Sequence, residues 1–234
     1  MKNDISFRLR GRYALFTDPI TKIGGEKCSY HLPTYEAIKG VLKSIYWKPT
    51  IIWHVDKIRI IKPLRTQTKG TKPLVWNGGN SLAIYTFLYD VEYQVKAHFE
   101  WNQHRPELAA DRIDGKHYSI LQRTLERGGR QDIFLGTRDC QGYVEPCQFG
   151  EGIGAFDDIE ELAFGLMFHG FDYPDETGVE ELHSRFWHPV LKRGVLEFPR
   201  PEHCPVRRLV RPMTMKTFGV GDNVLSVVEE EASL

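Results

Sequence analysis

The chain has 234 residues, of which 41% are hydrophobic, and its 31 basic and 31 acidic side chains give a net charge of zero. This composition excludes a chain that is disordered throughout, because it can bury the core of one large or two small domains. Residues 1–10 are charged and no apolar run reaches the roughly 20 residues of a membrane-spanning helix. We therefore expect a cytoplasmic protein that does not enter a membrane.

The first half of the chain contains the clearest periodic patterns. Residues 5–16 alternate between apolar and polar side chains, which predicts a strand. An amphipathic run begins after Thr34 and stops before Pro49, which predicts a helix. Residues 51–61 and 85–101 alternate again and predict two further strands.

The pattern continues with a second helix over residues 116–127, ending at two glycines, and a strand over residues 133–143. The order β-α-β-β-α-β over residues 1–147 predicts a ferredoxin-like domain of the α+β class, the RRM-like arrangement also found in RNA-recognition modules. Short β-like segments over residues 148–216 predict a small β-rich C-terminal subdomain. Residues 217–234 are expected to form a flexible acidic tail.

The charges are distributed unevenly along the chain. Residues 1–150 carry a net charge of +8, residues 151–186 of −9, residues 187–220 of +5 and residues 221–234 of −4. A basic N-terminal part favours a polyanionic partner, since neutralised phosphates supply most of the non-specific affinity for nucleic acids. Ordinary variation in charge along the chain is the alternative.

Metal and cofactor sites are not indicated. The chain is long enough to need no disulfides, so we expect reduced thiols. The cysteines are also too far apart in sequence for typical zinc-ligand pairs. The carboxylates of the N-terminal part are scattered, which gives no support to a two-metal nuclease. We expect neither a metal nor a cofactor. The cysteines are Cys28, Cys140, Cys147 and Cys204, and the carboxylates are Asp56, Asp90, Glu92, Glu100, Asp111 and Asp114.

Three residues in two places could carry a reaction. Tyr46 ends the first predicted helix, and Lys116 and His117 begin the second. These residue types suit metal-independent RNA cleavage, in which a ribose 2′-hydroxyl attacks the neighbouring phosphorus. Histidine can accept or donate the proton, lysine supplies positive charge, and tyrosine can orient or exchange a proton. On spacing alone, a core tyrosine and a solvated helix end are the more ordinary explanation.

Basic and aromatic residues alternate between the third strand and the end of the second helix. RNA recognition combines phosphate-directed arginines with aromatic rings that stack on unpaired bases. A solvated helix surface is the alternative. The candidate RNA-binding residues are His104, Arg105, Arg123, Arg127 and Arg130.

Five stretches closely resemble the CRISPR-associated proteins of the fifth family, subtype I-C, also called the Dvulg or d type. They are GRYALFTDP at 11–19, GGEK at 24–27, SIYWKPT at 44–50, GKHYSILQR at 115–123 and FDYPDETG at 171–178. The likeness extends over residues 7–201. It implies a RAMP-type protein with a ferredoxin-like N-terminal domain and a β-rich C-terminal part.

The resemblance also implies a function. Members of this family cut the CRISPR precursor RNA within each repeat, at the 3′ base of the hairpin stem, without metal. The products carry a 2′,3′-cyclic phosphate and a 5′-hydroxyl. The protein then stays on the 5′ handle of the guide RNA, beside the backbone and large subunits of the interference complex. The family's catalytic residues correspond to Tyr46, Lys116 and His117 here.

Two alternatives stay open at this point. One is a non-catalytic RNA-binding subunit of the same complex, although the presence of all three candidate catalytic residues favours the enzyme. The other is a metal-dependent nuclease acting on DNA, because a basic surface would bind duplex DNA non-specifically.

Overall fold

The computed structural model describes residues 2–216, with residues 24, 74, 75, 77 and 80 left out. The predicted acidic tail, residues 217–234, lies outside the described residues. The helices are α1 (Pro19–Ile23), α2 (Tyr35–Ile45), α3 (Lys116–Glu126) and α4 (Pro174–Thr177), with 3₁₀ turns at Pro106–Asp111 and Pro201–His203. The strands of the N-terminal part are β1 (Asp4–Ala14), β2 (Ile51–Ile60), β3 (Thr66–Thr71), β4 (Ala83–Trp101), β5 (Ile133–Phe134) and β6 (Gln141–Pro146). Those that follow are β7 (Glu161–Ala163), β8 (Met167–Asp172), β9 (Glu181–Trp187), β10 (Val190–Lys192), β11 (Val195–Glu197) and β12 (Val206–Pro212).

The structure confirms a mixed α/β fold built on antiparallel sheets with few helices. The larger sheet has the order β5-β6-β1-β4-β2-β11-β10-β7, with β3 paired to one end of β4, and the smaller sheet has the order β12-β9-β8. Every pairing between these named strands is antiparallel.

The core lies between one face of the larger sheet and the helices α2 and α3. Alternate residues of β1, such as Phe7 and Leu9, are fully buried on this face, which is why residues 5–16 alternate in sequence. Helix α2 contributes Ile38 and Leu42 to the same core, and α3 contributes Leu121. Both helices therefore pack on one side of the sheet, which brings their ends within reach of each other.

The boundaries of α2 follow from local chemistry. The Thr34 hydroxyl accepts a hydrogen bond from the backbone N–H of Ala37 at 3.1 Å and so caps the first turn. The helix ends at Ile45, and Tyr46 takes an extended conformation as its C-cap. Pro49 lies three residues further on and disfavours a helical conformation for the residue before it.

The prediction of one strand over residues 133–143 is wrong. The chain forms two short antiparallel strands, β5 and β6, with a tight turn between them. Gly136 has a positive φ of 94°, and a Cβ atom at this position would lie 2.0 Å from the backbone oxygen of Leu15. The close contact with Leu15 therefore requires glycine, and this glycine breaks the strand.

The C-terminal residues form short strands, as the sequence predicts, but they also extend the larger sheet. Strand β11 pairs with β2, and β10 and β7 follow it outward. Strands β3 and β12 and the short helices α1 and α4 had no predicted counterpart. The division at residue 147 stays a prediction. The four cysteines are all free thiols, and no helix in the described part of the chain is both long and apolar enough to cross a membrane.

Candidate active site

The end of α2 places Tyr46 at the edge of the core. Its backbone N–H donates to the carbonyl oxygen of Leu42 at 2.9 Å, and its own carbonyl accepts a hydrogen bond from the Trp53 indole at 2.8 Å. The residue is only 1% exposed. These two bonds fix the backbone of Tyr46, so the direction of its side chain is set by the end of the helix.

The start of α3 separates Lys116 from His117. Gly115 precedes the helix with a φ of 74°, a left-handed conformation that glycine adopts without strain. Because successive helical residues point about 100° apart, the two side chains diverge. The imidazole of His117 enters the core and is 1% exposed, whereas the side chain of Lys116 is 41% exposed.

The two helix ends meet through a hydrogen bond between side chains. The hydroxyl of Tyr46 lies 2.9 Å from Nδ1 of His117, and Nε2 of His117 lies 2.8 Å from the backbone oxygen of Asp111. A carbonyl oxygen can only accept, so Nε2 carries the proton. In the neutral imidazole Nδ1 is then the acceptor, and the Tyr46 hydroxyl donates to it.

Asp111 connects this pair to Lys116. One carboxylate oxygen of Asp111 accepts from the ammonium group of Lys116, and the other accepts from the hydroxyl of Thr50 at 2.6 Å. These hydrogen bonds, with the positive charge of Lys116, lower the pKa of Asp111 below its usual range. The carboxylate is therefore ionised at neutral pH and neutralises part of the positive charge of Lys116.

Aromatic rings surround the imidazole. The ring centroid of Trp101 lies 5.3 Å from that of His117 in an edge-on arrangement, and Phe99 lies on the same wall at 6.4 Å. Burial raises the pKa of Tyr46, and the negative charge of Asp111 adds to this effect while Arg130 opposes it. The tyrosine therefore keeps its proton at neutral pH and can act only as a neutral hydroxyl.

The candidate RNA-binding residues lie in different environments. The side chains of Arg123, Arg127 and Arg130 are exposed on and just after α3, and His104 is exposed next to Gly178. Arg105 differs from these four because it is only 5% exposed. Its guanidinium group forms ion pairs with Asp175 and Glu107, so in this conformation it contacts carboxylates inside the protein.

A basic groove runs along the surface beside Tyr46. Trp47 is 39% exposed in this groove, and the backbone N–H groups of Arg130 and Gln131 donate to the carbonyl of Ser44, which joins its two walls. The groove has a volume of about 580 Å³ and is lined by Lys43, Ser44, Trp47, Lys48, Pro49, Arg130 and Gln131. Positive charge around an exposed aromatic ring suits a single-stranded nucleic acid.

Sequence reasoning found Arg130 but missed Trp47, Lys48 and Asp111 as residues of this region. The run from Lys43 to Lys48 does contain a signal, since an aromatic residue lies among basic ones directly after Tyr46. Asp111 appeared only as one of several scattered carboxylates. Within the part of the chain that the structure describes, no three His, Cys, Asp or Glu side chains are grouped to hold a metal ion.

Known proteins are similar to this chain in sequence and in fold. A family model described as "CRISPR-associated protein (Cas_Cas5)", of the Cas5d type, matches residues 4–199. The CRISPR pre-crRNA endoribonuclease Cas5d of Mannheimia succiniciproducens is 26% identical over 238 residues, covering 85% of this chain and 96% of the relative. The protein of the same name from Thermus thermophilus is 26% identical over 229 residues, covering 88% and 95%.

A solved CRISPR-associated protein is also similar in structure. It superposes with a TM-score of 0.75 at 32% identity, over 88% of this chain and 96% of the other. The match of the family model extends from β1 to the end of the larger sheet and includes Tyr46, Asp111, Lys116 and His117. The chain therefore belongs to the Cas5 family of CRISPR-associated proteins, as a member of its Cas5d, subtype I-C, type.

Proposed function

We propose that the protein is an endoribonuclease that cuts CRISPR precursor RNA within the repeat, at the 3′ base of the hairpin stem. Two relatives that cover most of the chain are named pre-crRNA endoribonucleases. The observation that carries the proposal is the hydrogen-bonded pair of Tyr46 and His117. Lys116 lies beside this pair, one position before His117 on α3. The reaction needs no metal and leaves a 2′,3′-cyclic phosphate and a 5′-hydroxyl.

The geometry of Tyr46 supports a proton relay. Its hydroxyl donates to Nδ1 of His117, which leaves the lone pairs of the tyrosine oxygen available to the 2′-hydroxyl of the substrate. As the 2′-oxygen attacks phosphorus, its proton moves to the Tyr46 oxygen and the tyrosine proton moves to His117. No free tyrosinate forms, which agrees with the raised pKa of Tyr46. General-base catalysis of this kind contributes roughly 10²- to 10⁴-fold to rate.

Lys116 supplies positive charge in the proposed reaction. Its ammonium group is half-exposed at the first turn of α3 and can donate hydrogen bonds to the phosphoryl oxygens as negative charge grows on them. The P–O5′ bond breaks as the 2′-O–P bond forms. The leaving 5′-oxygen takes a proton from water, and the resulting hydroxide takes up, through solvent, the proton that His117 releases. This division makes Tyr46 and His117 the proton acceptors and Lys116 the electrostatic group.

The proposal includes a path for the RNA. The basic groove is lined by Trp47, which follows Tyr46 in the chain, so a nucleotide next to the scissile phosphate stacks on the indole while Lys48 and Arg130 contact phosphates. Arg123 and Arg127 extend this basic surface along α3. His104 and Arg105 directly precede the 3₁₀ turn Pro106–Asp111 and contribute less to RNA binding.

We also propose a ferredoxin-like arrangement for the N-terminal part, a place of action and the partners of the protein. The order β6-β1-β4-β2, with α2 and α3 on one face, supports a ferredoxin-like domain over residues 1–147 followed by a β-rich subdomain over residues 148–216. The protein acts in the cytoplasm. After cleavage it stays on the 5′ handle of the guide RNA, beside the backbone and large subunits of the interference complex.

The second candidate function is a non-catalytic RNA-binding subunit of the same complex. One observation favours it, because Tyr46 and His117 are each only 1% exposed and both ring nitrogens of His117 are occupied by protein groups. The relay through Tyr46 accounts for the burial of His117, since in this mechanism His117 never has to touch the RNA. The tyrosine hydroxyl, however, must become accessible when RNA binds.

The test is cleavage of the host's own repeat RNA in excess chelator, comparing the wild type with His117→Ala and mapping both product ends. We expect one cut below the hairpin, a cyclic phosphate on the 5′ product, and loss of cleavage in the variant with unchanged RNA affinity. Tight binding without cleavage by the wild type would establish the scaffold instead. Cleavage that disappears in chelator and returns with a divalent cation would point to a metal-dependent nuclease, and duplex DNA tested in parallel would show whether it is also a substrate.

A further inference from the structure

Asp111 contacts every member of the candidate active site that lies on α3. It is the last residue of the 3₁₀ turn Pro106–Asp111, and it faces the first turn of the helix. Its backbone oxygen lies 2.8 Å from Nε2 of His117, and its carboxylate oxygen Oδ2 lies 3.4 Å from the same nitrogen. Its other carboxylate oxygen accepts from Lys116.

The carboxylate is held in place from the opposite side. The hydroxyl of Thr50, immediately before β2, donates to Oδ2 of Asp111 at 2.6 Å. Thr50 also accepts, through its backbone oxygen, a hydrogen bond from the N–H of Asn102 at 2.8 Å, so it is anchored to the end of β4. Asp111 thus connects the sheet to α3. It is not the N-cap of α3, because Gly115 takes that position.

These contacts give Asp111 two effects on His117. The backbone oxygen accepts the Nε2 proton, so the neutral ring must present Nδ1 as the acceptor for Tyr46. The carboxylate places a negative charge beside the imidazole, which favours the cationic ring that forms when His117 takes a proton. The same carboxylate holds the ammonium group of Lys116 on the side of the site where the phosphate would lie.

We propose that Asp111 is a positioning residue of the RNA cleavage reaction: it fixes the tautomer of His117, stabilises its protonated form and orients Lys116. The inference rests on the proposed function, because it acts only through His117 and Lys116. Asp111 does not touch the RNA. Its removal therefore slows the chemical step and leaves RNA affinity intact.

The experiment compares two variants that carry the same change of charge three residues apart. Asp111→Asn keeps an oxygen acceptor for Thr50 but removes the charge beside His117 and Lys116. Asp114→Asn is the matched control, since the carboxylate of Asp114 is exposed and accepts from the N–H of Gly115 at 3.0 Å. Single-turnover cleavage at saturating repeat RNA and the dissociation constant for that RNA are measured for each.

We expect Asp111→Asn to lower the single-turnover rate roughly 10- to 100-fold, the range typical of a misplaced catalytic group, with the dissociation constant unchanged within about twofold. Asp114→Asn should cleave like the wild type. A rate for Asp111→Asn within threefold of the control would overturn the inference. A loss of RNA affinity as large as the loss of rate would also overturn it.

A spectroscopic measurement separates positioning from simple loss of folding. In the intact chain labelled with ¹⁵N-histidine, the two-bond ¹H–¹⁵N couplings of His117 should show the proton on Nε2. Asp111→Ala should mix the two tautomers, because the turn that carries the backbone oxygen loses its bonds to Thr50 and Lys116. If Asp111→Ala fails to fold, Thr50→Val tests the same anchor. An unchanged single tautomer together with an unchanged rate would refute the role.

The two proposals fail in different ways. If His117→Ala cleaves the repeat RNA like the wild type, the proposed active site is wrong and the role of Asp111 falls with it. If His117→Ala is inactive while Asp111→Asn retains the wild-type rate, the proposed function survives and only the inference about Asp111 is wrong.

Discussion

Tyr46 and Tyr93 are each 1% exposed, but their hydroxyl groups differ. The hydroxyl of Tyr46 donates to His117, whereas that of Tyr93 has no hydrogen-bond partner in the described part of the chain. Burial raises the pKa of both groups, so neither ionises near neutral pH. An unpaired buried hydroxyl is unfavourable because the group has lost its hydrogen bonds to water.

The two tyrosines therefore form a matched pair of phenylalanine variants. Tyr46→Phe should lower the free energy of unfolding by about 1 kcal/mol and slow RNA cleavage roughly 10²- to 10⁴-fold. Tyr93→Phe should raise the free energy of unfolding by about 1 kcal/mol and leave cleavage unchanged. Urea titrations and single-turnover assays measure both quantities. Equal effects of the two substitutions on cleavage would contradict the assigned role of Tyr46.

Residue types and the family resemblance were sufficient to select Tyr46, Lys116 and His117 from the sequence. The contact between Tyr46 and His117 was not predictable, because it depends on how two helices meet over a sheet. Asp111 was harder still to recognise. Its hydrogen bond with His117 uses a backbone oxygen, which every residue carries, and its carboxylate was one of several scattered along the sequence, so nothing in the sequence singled it out.

Among the structural elements, the short helix α4 is attached to α2 by a largely buried ion pair. Glu176 of α4 accepts from the ammonium group of Lys39, which is 1% exposed, and lies 3.4 Å from that of Lys43. Burial disfavours the charged form of Glu176, but the two lysines outweigh this effect and hold the pKa of Glu176 below its usual range. The folded protein therefore releases this proton more readily than the unfolded chain.

Glu176→Gln should lower the free energy of unfolding by about 3 kcal/mol at pH 7, because it leaves the buried charge of Lys39 without a partner. A lowered folded-state pKa stabilises the protein above the unfolded pKa, and this contribution disappears as the pH falls through the folded value. The difference between variant and wild type should therefore shrink below about pH 4.5. Urea titrations at pH 7, 5 and 3 measure it. Glu197→Gln, at an exposed carboxylate, should show no difference at any pH, and a gap that widens in acid would contradict the argument.

The elements with strong periodicity were predicted well and the others were not. Helix α2 has an apolar face and a threonine cap, and β1, β2 and β4 alternate, so sequence alone located all four. Strand β3 is polar along its length and pairs with the first residues of β4. Strand β12 is exposed at every residue except Val206, which is half-buried. Neither has a buried face, and burial is what produces a readable pattern.

At the scale of the whole molecule, four of the ten carboxylates in the acidic segment 151–186 form partly buried ion pairs with basic residues of the chain. These carboxylates pair with basic residues both before and after the segment, so it covers part of the positive charge that the sequence assigns to residues 1–150 and 187–220. In the basic groove at Trp47, Lys48 and Arg130 remain exposed. The internal pairs are Asp157 with Arg59, Asp172 with Arg185 and Arg207, Asp175 with Arg105, and Glu176 with Lys39 and Lys43.

The exposed groove should therefore dominate the salt dependence of RNA binding. Lys48→Ala and Arg130→Ala should each reduce the slope of log affinity against log salt by roughly 0.7, the value for one lost phosphate contact on a single strand. Trp47→Ala should weaken binding by about 1–3 kcal/mol with no change of slope, since stacking releases no counterions. Lys192→Ala, an exposed lysine far along the sheet, is the control. Slopes that are equal in all four variants would rule out this path for the RNA.

Strand β4 has a further consequence for how the molecule loses its structure. It has 19 residues and is about 60 Å long at strand spacing. It pairs with β1, β2 and β3. Its last residue, Trp101, contacts His117. Separating any of these strands exposes a long stretch of the same backbone. Amide protons near Val95 therefore exchange with solvent only when the whole sheet opens, and the end of the strand at the proposed active site persists for as long as its centre remains folded.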